Sequence, residues 1–206
     1  MLRHWLEEAR VLPVIAPLDV PSTVQLCRTL AGAGMSAVEI TLRHQQALEA
    51  LAAVRRDQPG LCIAAGTVLN GAQARAAVDA GASFLVSPGL TPGLLDMTRG
   101  LSVPLLPGVA TASEVMQGLD AGLDCFKFFP AVPAGGLALL KALAGPFPEV
   151  AFCPTGGLGA DNHAEYLELP NVICCGGSWM VSRELVQQAR WEEIAALAAA
   201  AVARPR

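Results

Sequence analysis

The chain has 206 residues, 53% hydrophobic and 16% charged, with 20 glycines and a formal net charge of −4 at pH 7. That composition excludes a disordered or fibrous chain and gives a single domain over residues 1–206 ample material for a core. No Lys/Arg run offers an electrostatic footprint for nucleic acid or an anionic membrane, so any anionic ligand must be held locally.

From the N-terminus, Met1 to Glu8 carry acidic residues where a signal peptide needs its apolar stretch. No later run approaches the roughly 18–20 apolar residues of a membrane span, so a cytoplasmic location is expected. After a short N-terminal helix, apolar runs predict strands at 12–16, 37–42, 61–66, 83–87, 103–107, 124–129, 150–154 and 171–175. Stretches of helical period lie between them at 21–33, 44–57, 70–80, 91–99, 111–121, 135–144 and 160–168, and again from 181 onwards. Eight βα units of about 25 residues predict an α/β fold, a compact (β/α)8 TIM barrel.

A weak repeat agrees. Ala33-Gly34, Asp79-Ala80-Gly81 and Asp120-Ala121-Gly122 each close a helical stretch before an apolar run, where glycine fits a left-handed C-cap. The strands read as continuous apolar segments, as parallel strands covered on both faces do. A doubly wound open sheet is the alternative, but no Gly-x-Gly-x-x-Gly follows the first strand. No linker marks a second domain, and Ile194 to Ala203 reads as a packing helix.

The six cysteines (27, 62, 125, 153, 174, 175) lie mostly in apolar segments without a Cys-x-x-Cys pair, and read as buried core residues. The histidines at 4, 44 and 163 are far apart in polar settings and make no local metal-ligand cluster; neither metal nor organic cofactor is expected.

Charged side chains occur in only two of the eight predicted strands, the second with Glu39 and the sixth with Lys127. Lys127 stands in Cys125-Phe126-Lys127-Phe128-Phe129-Pro130, where lost hydration favours the uncharged, nucleophilic amine. Period-2 alternation puts Glu39, Thr41 and, just beyond the strand, Arg43 on one face, and Cys125, Lys127 and Phe129 on another. If both faces point into the barrel, an acid, a guanidinium and an amine converge at its C-terminal mouth, where barrel enzymes keep their active sites. A structural Glu39–Lys127 ion pair is the other reading, although interior ion pairs seldom outdo apolar packing.

Two glycine loops follow strands seven and eight: Cys153-Pro154-Thr155-Gly156-Gly157 and Cys175-Gly176-Gly177-Ser178. Glycines let backbone amides approach phosphate oxygens, and barrels commonly hold phosphate in these two loops. Gly66-Thr67, Ser87-Pro88-Gly89 and Pro107-Gly108 end other strands as turns, with the Thr67 and Ser87 hydroxyls available to a substrate.

The segments VEITLR, AAGTVLN, SPGLT, FKFFPA, AGPF, FCPTGG and GGSWM, in this order from Pro13 to Trp191, resemble the bacterial 2-keto-3-deoxy-6-phosphogluconate (KDPG) and 4-hydroxy-2-oxoglutarate aldolases. The resemblance implies a class I, Schiff-base barrel aldolase of the Entner-Doudoroff pathway with no cofactor, whose partners are a phosphorylated 2-keto acid and pyruvate. It also implies a homotrimer. It casts Lys127 as the Schiff-base lysine and Glu39 as the proton-transferring carboxylate. Arg43 and Thr67 take the substrate's carboxylate region, and Pro88 and Phe129 line the pocket. Thr155, Gly156, Gly157, Gly177 and Ser178 become distal hydroxyl and phosphate contacts, and the Thr-Gly-Gly favours the gluconate over the galactonate epimer. One departure is Ala16-Pro17 where some related barrels carry an arginine, which leaves phosphate binding to backbone amides.

Two other functions stay open on the residues alone. A phosphate-binding barrel isomerase or epimerase would keep the glycine loops without needing Lys127; a degenerate barrel would bind a phosphorylated metabolite without chemistry, and retention of Glu39, Arg43 and Lys127 together argues against it.

Overall fold

The structure, a computed structural model, describes residues 1–203. The chain opens with α1 (Leu2–Ala9), β1 (Val11–Ile15), α2 (Val20–Gly32), β2 (Ala37–Thr41), α3 (Ala47–Asp57), β3 (Cys62–Gly66), α4 (Gly71–Asp79) and β4 (Phe84–Val86). It continues through α5 (Pro92–Thr98), β5 (Leu105–Leu106), β6 (Gly108–Val109), α6 (Ala112–Asp120), β7 (Cys125–Phe128), α7 (Gly136–Ala144) and β8 (Ala151–Pro154). Helix α8 (His163–Leu167), β9 (Cys175–Gly177), a 3₁₀ turn (Trp179–Val181), α9 (Arg183–Gln187) and α10 (Trp191–Ala203) follow.

All strand pairings are parallel, in the orders β5-β4-β3-β2-β1-β9 and β6-β7-β8. The two arcs meet at both ends. Pro107, which has no amide hydrogen to donate, splits the fifth barrel strand into β5 and β6, while its carbonyl accepts from Lys127 N at 2.9 Å. On the other side, single parallel bridges join Phe152 to Val172 and Thr155 to Gly176. The result is the expected (β/α)8 barrel.

Two boundaries differ from the sequence expectation. The fifth strand is not continuous over 103–107, and the last strand is not 171–175 but Cys175–Gly177, paired with Val11–Pro13. Gly176 and Gly177 therefore lie within a strand rather than in the loop after it. A Cβ on Gly176 would overlap the Thr155 hydroxyl, and one on Gly177 the Trp179 ring, so only glycine lets the barrel close here.

The repeat at the helix ends is a Schellman motif used three times. Gly34, Gly81 and Gly122 all have positive φ, and the residue after each donates to the carbonyl five positions back: Met35 to Leu30, Ala82 to Ala77, Leu123 to Gly118. Side-chain caps start the helices near the mouth, with Asp19, Asn70, Thr91 and Thr111 each accepting from a first-turn amide.

Large side chains such as Ile40, Ile63, Leu85, Phe126, Phe128 and Phe152 pack between strands and helices. The alternate positions fill the barrel interior: Leu12, Ala37, Ala64, Phe84, Cys125, Ala151 and Cys153 cluster with Leu6 and Ala9 of α1. Helix α1 plugs the N-terminal end, and Trp5 stacks on Phe84 with centroids 6.1 Å apart. Five of the cysteines are buried as expected, while Cys62 is half-buried.

Candidate active site

Two residues along β2 from Ala37, and two along β7 from Cys125, the interior face changes character. Glu39 and Lys127 meet there, with Lys127 Nζ 3.2 Å from Glu39 Oε1 and 3.3 Å from Oε2. Glu39 is 1% exposed and Lys127 6%. They are the only buried carboxylate and ammonium among the described residues, set over an apolar floor that excludes water from below. The Phe129 ring flanks the amine, its centroid 5.3 Å from Nζ.

Gly66, at the end of β3, makes this approach possible: a Cβ there would overlap the Glu39 carboxylate. Sequence reasoning placed Gly66 only in a turn. A glycine ending the strand that pairs with the acid-bearing one is the signal that was available.

Arg43 is exposed and makes no hydrogen bond or ion pair with the Lys127–Glu39 pair. It connects to the site through Thr41, whose hydroxyl accepts from Arg43 Nε at 3.3 Å and donates to Ile15 O at 2.9 Å. Arg43 lines a cavity of about 270 Å³ at the rim, together with Ala16, Pro17, His44 and Arg183. The sequence grouped Thr41 with Glu39 and Arg43 by face; its bracing of Arg43 needed the structure.

Thr67 follows Gly66 with φ 59°, a left-handed conformation rare for a β-branched residue, half-buried at the mouth. Pro88 is half-buried, and its carbonyl leaves no room for a Cβ on Gly108 of β6. Ser87 is fully buried and donates to Gly89 O at 2.7 Å, so its hydroxyl serves its own turn instead of a substrate.

After β8, Thr155 is buried, its amide donating to Phe128 O and its carbonyl accepting from Ala131 N. Gly156 and Gly157 follow with φ of 101° and 84°, and among the described residues their amides donate to no protein group. Gly177 ends β9, and Ser178 is exposed at the start of the 3₁₀ turn. Thr155 and Gly176 are bridge partners, so the two glycine segments lie side by side. The helix expected over 160–168 forms as His163–Leu167, so no helix N-terminus directly follows Gly157.

A parallel barrel whose mouth holds a buried amine–carboxylate pair beside two glycine segments has the parts of an enzyme that works on a carbonyl compound carrying a distal anion, a lyase of the aldolase type. Residues 2–197 match the aldolase family described as KDPG and KHG aldolase, and the chain belongs to that family. A 2-dehydro-3-deoxy-phosphogluconate aldolase of Pseudomonas aeruginosa is 46% identical over 197 residues, covering 96% of this chain and 90% of its own. The crystal structure of KDPG aldolase from Legionella pneumophila, with pyruvate captured as a covalent carbinolamine intermediate, superposes with a TM-score of 0.95 at 42% identity, over 98% of both chains. That of the Zymomonas mobilis enzyme with 3-phosphoglycerate gives 0.92 at 42% identity, over 98% of this chain and 95% of its own.

Proposed function

We propose that this protein is a class I aldolase that cleaves 2-dehydro-3-deoxy-6-phosphogluconate into pyruvate and glyceraldehyde 3-phosphate, with Lys127 as the imine-forming amine. The observation that carries this reading is the buried contact between Lys127 and Glu39 at the mouth of the barrel. An interior ion pair is a poor stabiliser, and this one stands where barrel chemistry occurs.

Transfer of a proton from Lys127 Nζ to Glu39 leaves a neutral amine facing the substrate. The amine adds to the C2 ketone; Glu39 then returns protons to the carbinolamine oxygen, which leaves as water, giving an iminium. That cation accepts the electron pair of the C3–C4 bond when the C4 hydroxyl loses its proton. Glyceraldehyde 3-phosphate departs, leaving an enamine on Lys127. Protonation at C3 and hydrolysis of the resulting iminium release pyruvate and restore the amine.

Arg43, braced by Thr41, meets the keto acid's carboxylate as a planar fork, and Thr67 adds its hydroxyl beside it. Pro88 and Phe129 wall the pocket. Thr155, Gly156, Gly157, Gly177 and Ser178 hold the distal hydroxyls and phosphate, chiefly through backbone amides. No helix among the described residues is long and apolar enough to cross a membrane, which fits action in the cytoplasm. Exposed Leu69, Met97 and Met116 offer apolar surface for a homotrimer.

The test is pyruvate release from the phosphorylated substrate, followed for the unaltered protein and for Lys127→Ala. Turnover only in the former is expected; equal turnover in both contradicts the assignment.

A further inference from the structure

His163 is 2% exposed, lies outside the chemistry described above, and carries a buried Nε2 without a partner. Its one side-chain hydrogen bond runs from Nδ1 to Gly159 O at 2.9 Å; a carbonyl only accepts, so Nδ1 bears the hydrogen. The imidazole also packs on Trp179, with centroids 5.0 Å apart and planes inclined by 32°. Trp179 in turn lies against Gly177, where its ring fills the place a Cβ would take.

One imidazole thus ties together the two segments that face the distal anion. On the β8 side it acts with Asn162, whose amide donates to Gly157 O at 3.1 Å and whose oxygen accepts from Gly159 N at 2.9 Å. On the β9 side it acts through Trp179. A phenylalanine would stack on Trp179 as well and leave no bare nitrogen in the interior, so the ring nitrogen that is satisfied, Nδ1, distinguishes histidine here.

We propose that His163 is a positioning residue for the distal phosphate: through Gly159 and Trp179 it sets the spacing between the Gly156–Gly157 and Gly177–Ser178 amides. It thereby favours 2-keto acids with a phosphorylated tail over those without one. This rests on the phosphate reading of those two segments. Amides must reach several oxygens of one anion at once, so a shift of either segment weakens phosphate binding without disturbing Lys127 and Glu39.

Two substitutions divide the side chain's contacts. His163→Phe keeps a ring on Trp179 and loses the donor; His163→Asn keeps a donor at the position of Nδ1 and loses the ring. Each is assayed with 2-dehydro-3-deoxy-6-phosphogluconate, with 4-hydroxy-2-oxoglutarate, which has no phosphate, and with inorganic phosphate as competitor. Both variants are expected to raise KM for the phosphorylated substrate and the inhibition constant of phosphate by about tenfold. Parameters for 4-hydroxy-2-oxoglutarate should stay within about twofold. Unchanged KM and phosphate inhibition in both variants, or equal losses on both substrates, overturn the role. Failure of phosphate to compete in the unaltered enzyme removes the phosphate reading itself, and the inference with it.

Discussion

Gly66 decides how near Glu39 can stand to Lys127. A methyl group at 66 would overlap Oε1, Cδ and Cγ of Glu39, so the carboxylate, buried and held by Lys127, must leave its position. Gly66→Ala should cost about 1–3 kcal/mol of stability by overpacking. The misplaced acid should lower kcat by about 100-fold. Melting curves and steady-state kinetics on the same preparation check both. Glu39→Gln keeps the shape and removes the proton carrier, so turnover should fall at least about 100-fold with KM little changed; full turnover would remove Glu39 from proton transfer. Glu39 and Lys127 were legible in the sequence because a charge inside an apolar strand is conspicuous by itself. Gly66 and the bracing role of Thr41 were not, since Gly66 makes room for Glu39 on the neighbouring β2 and the Thr41 hydroxyl is anchored on Ile15 O of β1, contacts that a local pattern does not carry. The exposed position of Arg43 on the rim likewise depends on where β2 ends.

At the scale of elements, periodicity located every barrel strand except where glycine or proline carries a role that side-chain patterns hide. Val103 to Pro107 reads as one apolar run, yet the missing amide of Pro107 divides it, and Gly108 resumes pairing beside Lys127. Asn171 to Cys175 reads as the last strand, yet Asn171 uses its side chain on Leu140 O, and pairing with β1 waits for Cys175-Gly176-Gly177. The helix caps were legible in part. Glycine marked the Schellman ends, whereas the capping box at Thr111, with Glu114 reaching back to the Thr111 amide at 2.9 Å, passed without notice. Thr111→Ala should therefore cost about 0.5–2 kcal/mol, read as a lowered urea midpoint; no change would mean that α6 is held by packing alone.

For the whole molecule, the barrel is closed below by α1 and apolar side chains, and burial, in the barrel interior and in the layer between strands and helices, makes the thiols poor acids. Burial, with Asp57 nearby, pushes Cys27 up to about 12, and burial with Asp124 pushes Cys125 up to about 11. A group whose folded-state value is raised lends stability that is complete below its unfolded value and is lost as pH rises toward the folded one. Stability should thus decline from about pH 9 toward pH 12, at up to about 1.4 kcal/mol per unit for Cys27. Cys27→Ala should flatten that decline in urea titrations, and an unchanged slope would place the alkaline sensitivity elsewhere. The same closure leaves the Lys127–Glu39 pair open only toward the mouth, so a small keto acid should reach the amine and be captured there. Treatment with pyruvate and sodium borohydride tests this most directly, with peptide mass spectrometry as the readout. Irreversible inactivation and a reduced pyruvate adduct on Lys127 are expected. Active, unlabelled protein after that treatment, or an adduct on another residue with Lys127 unmodified, would contradict it.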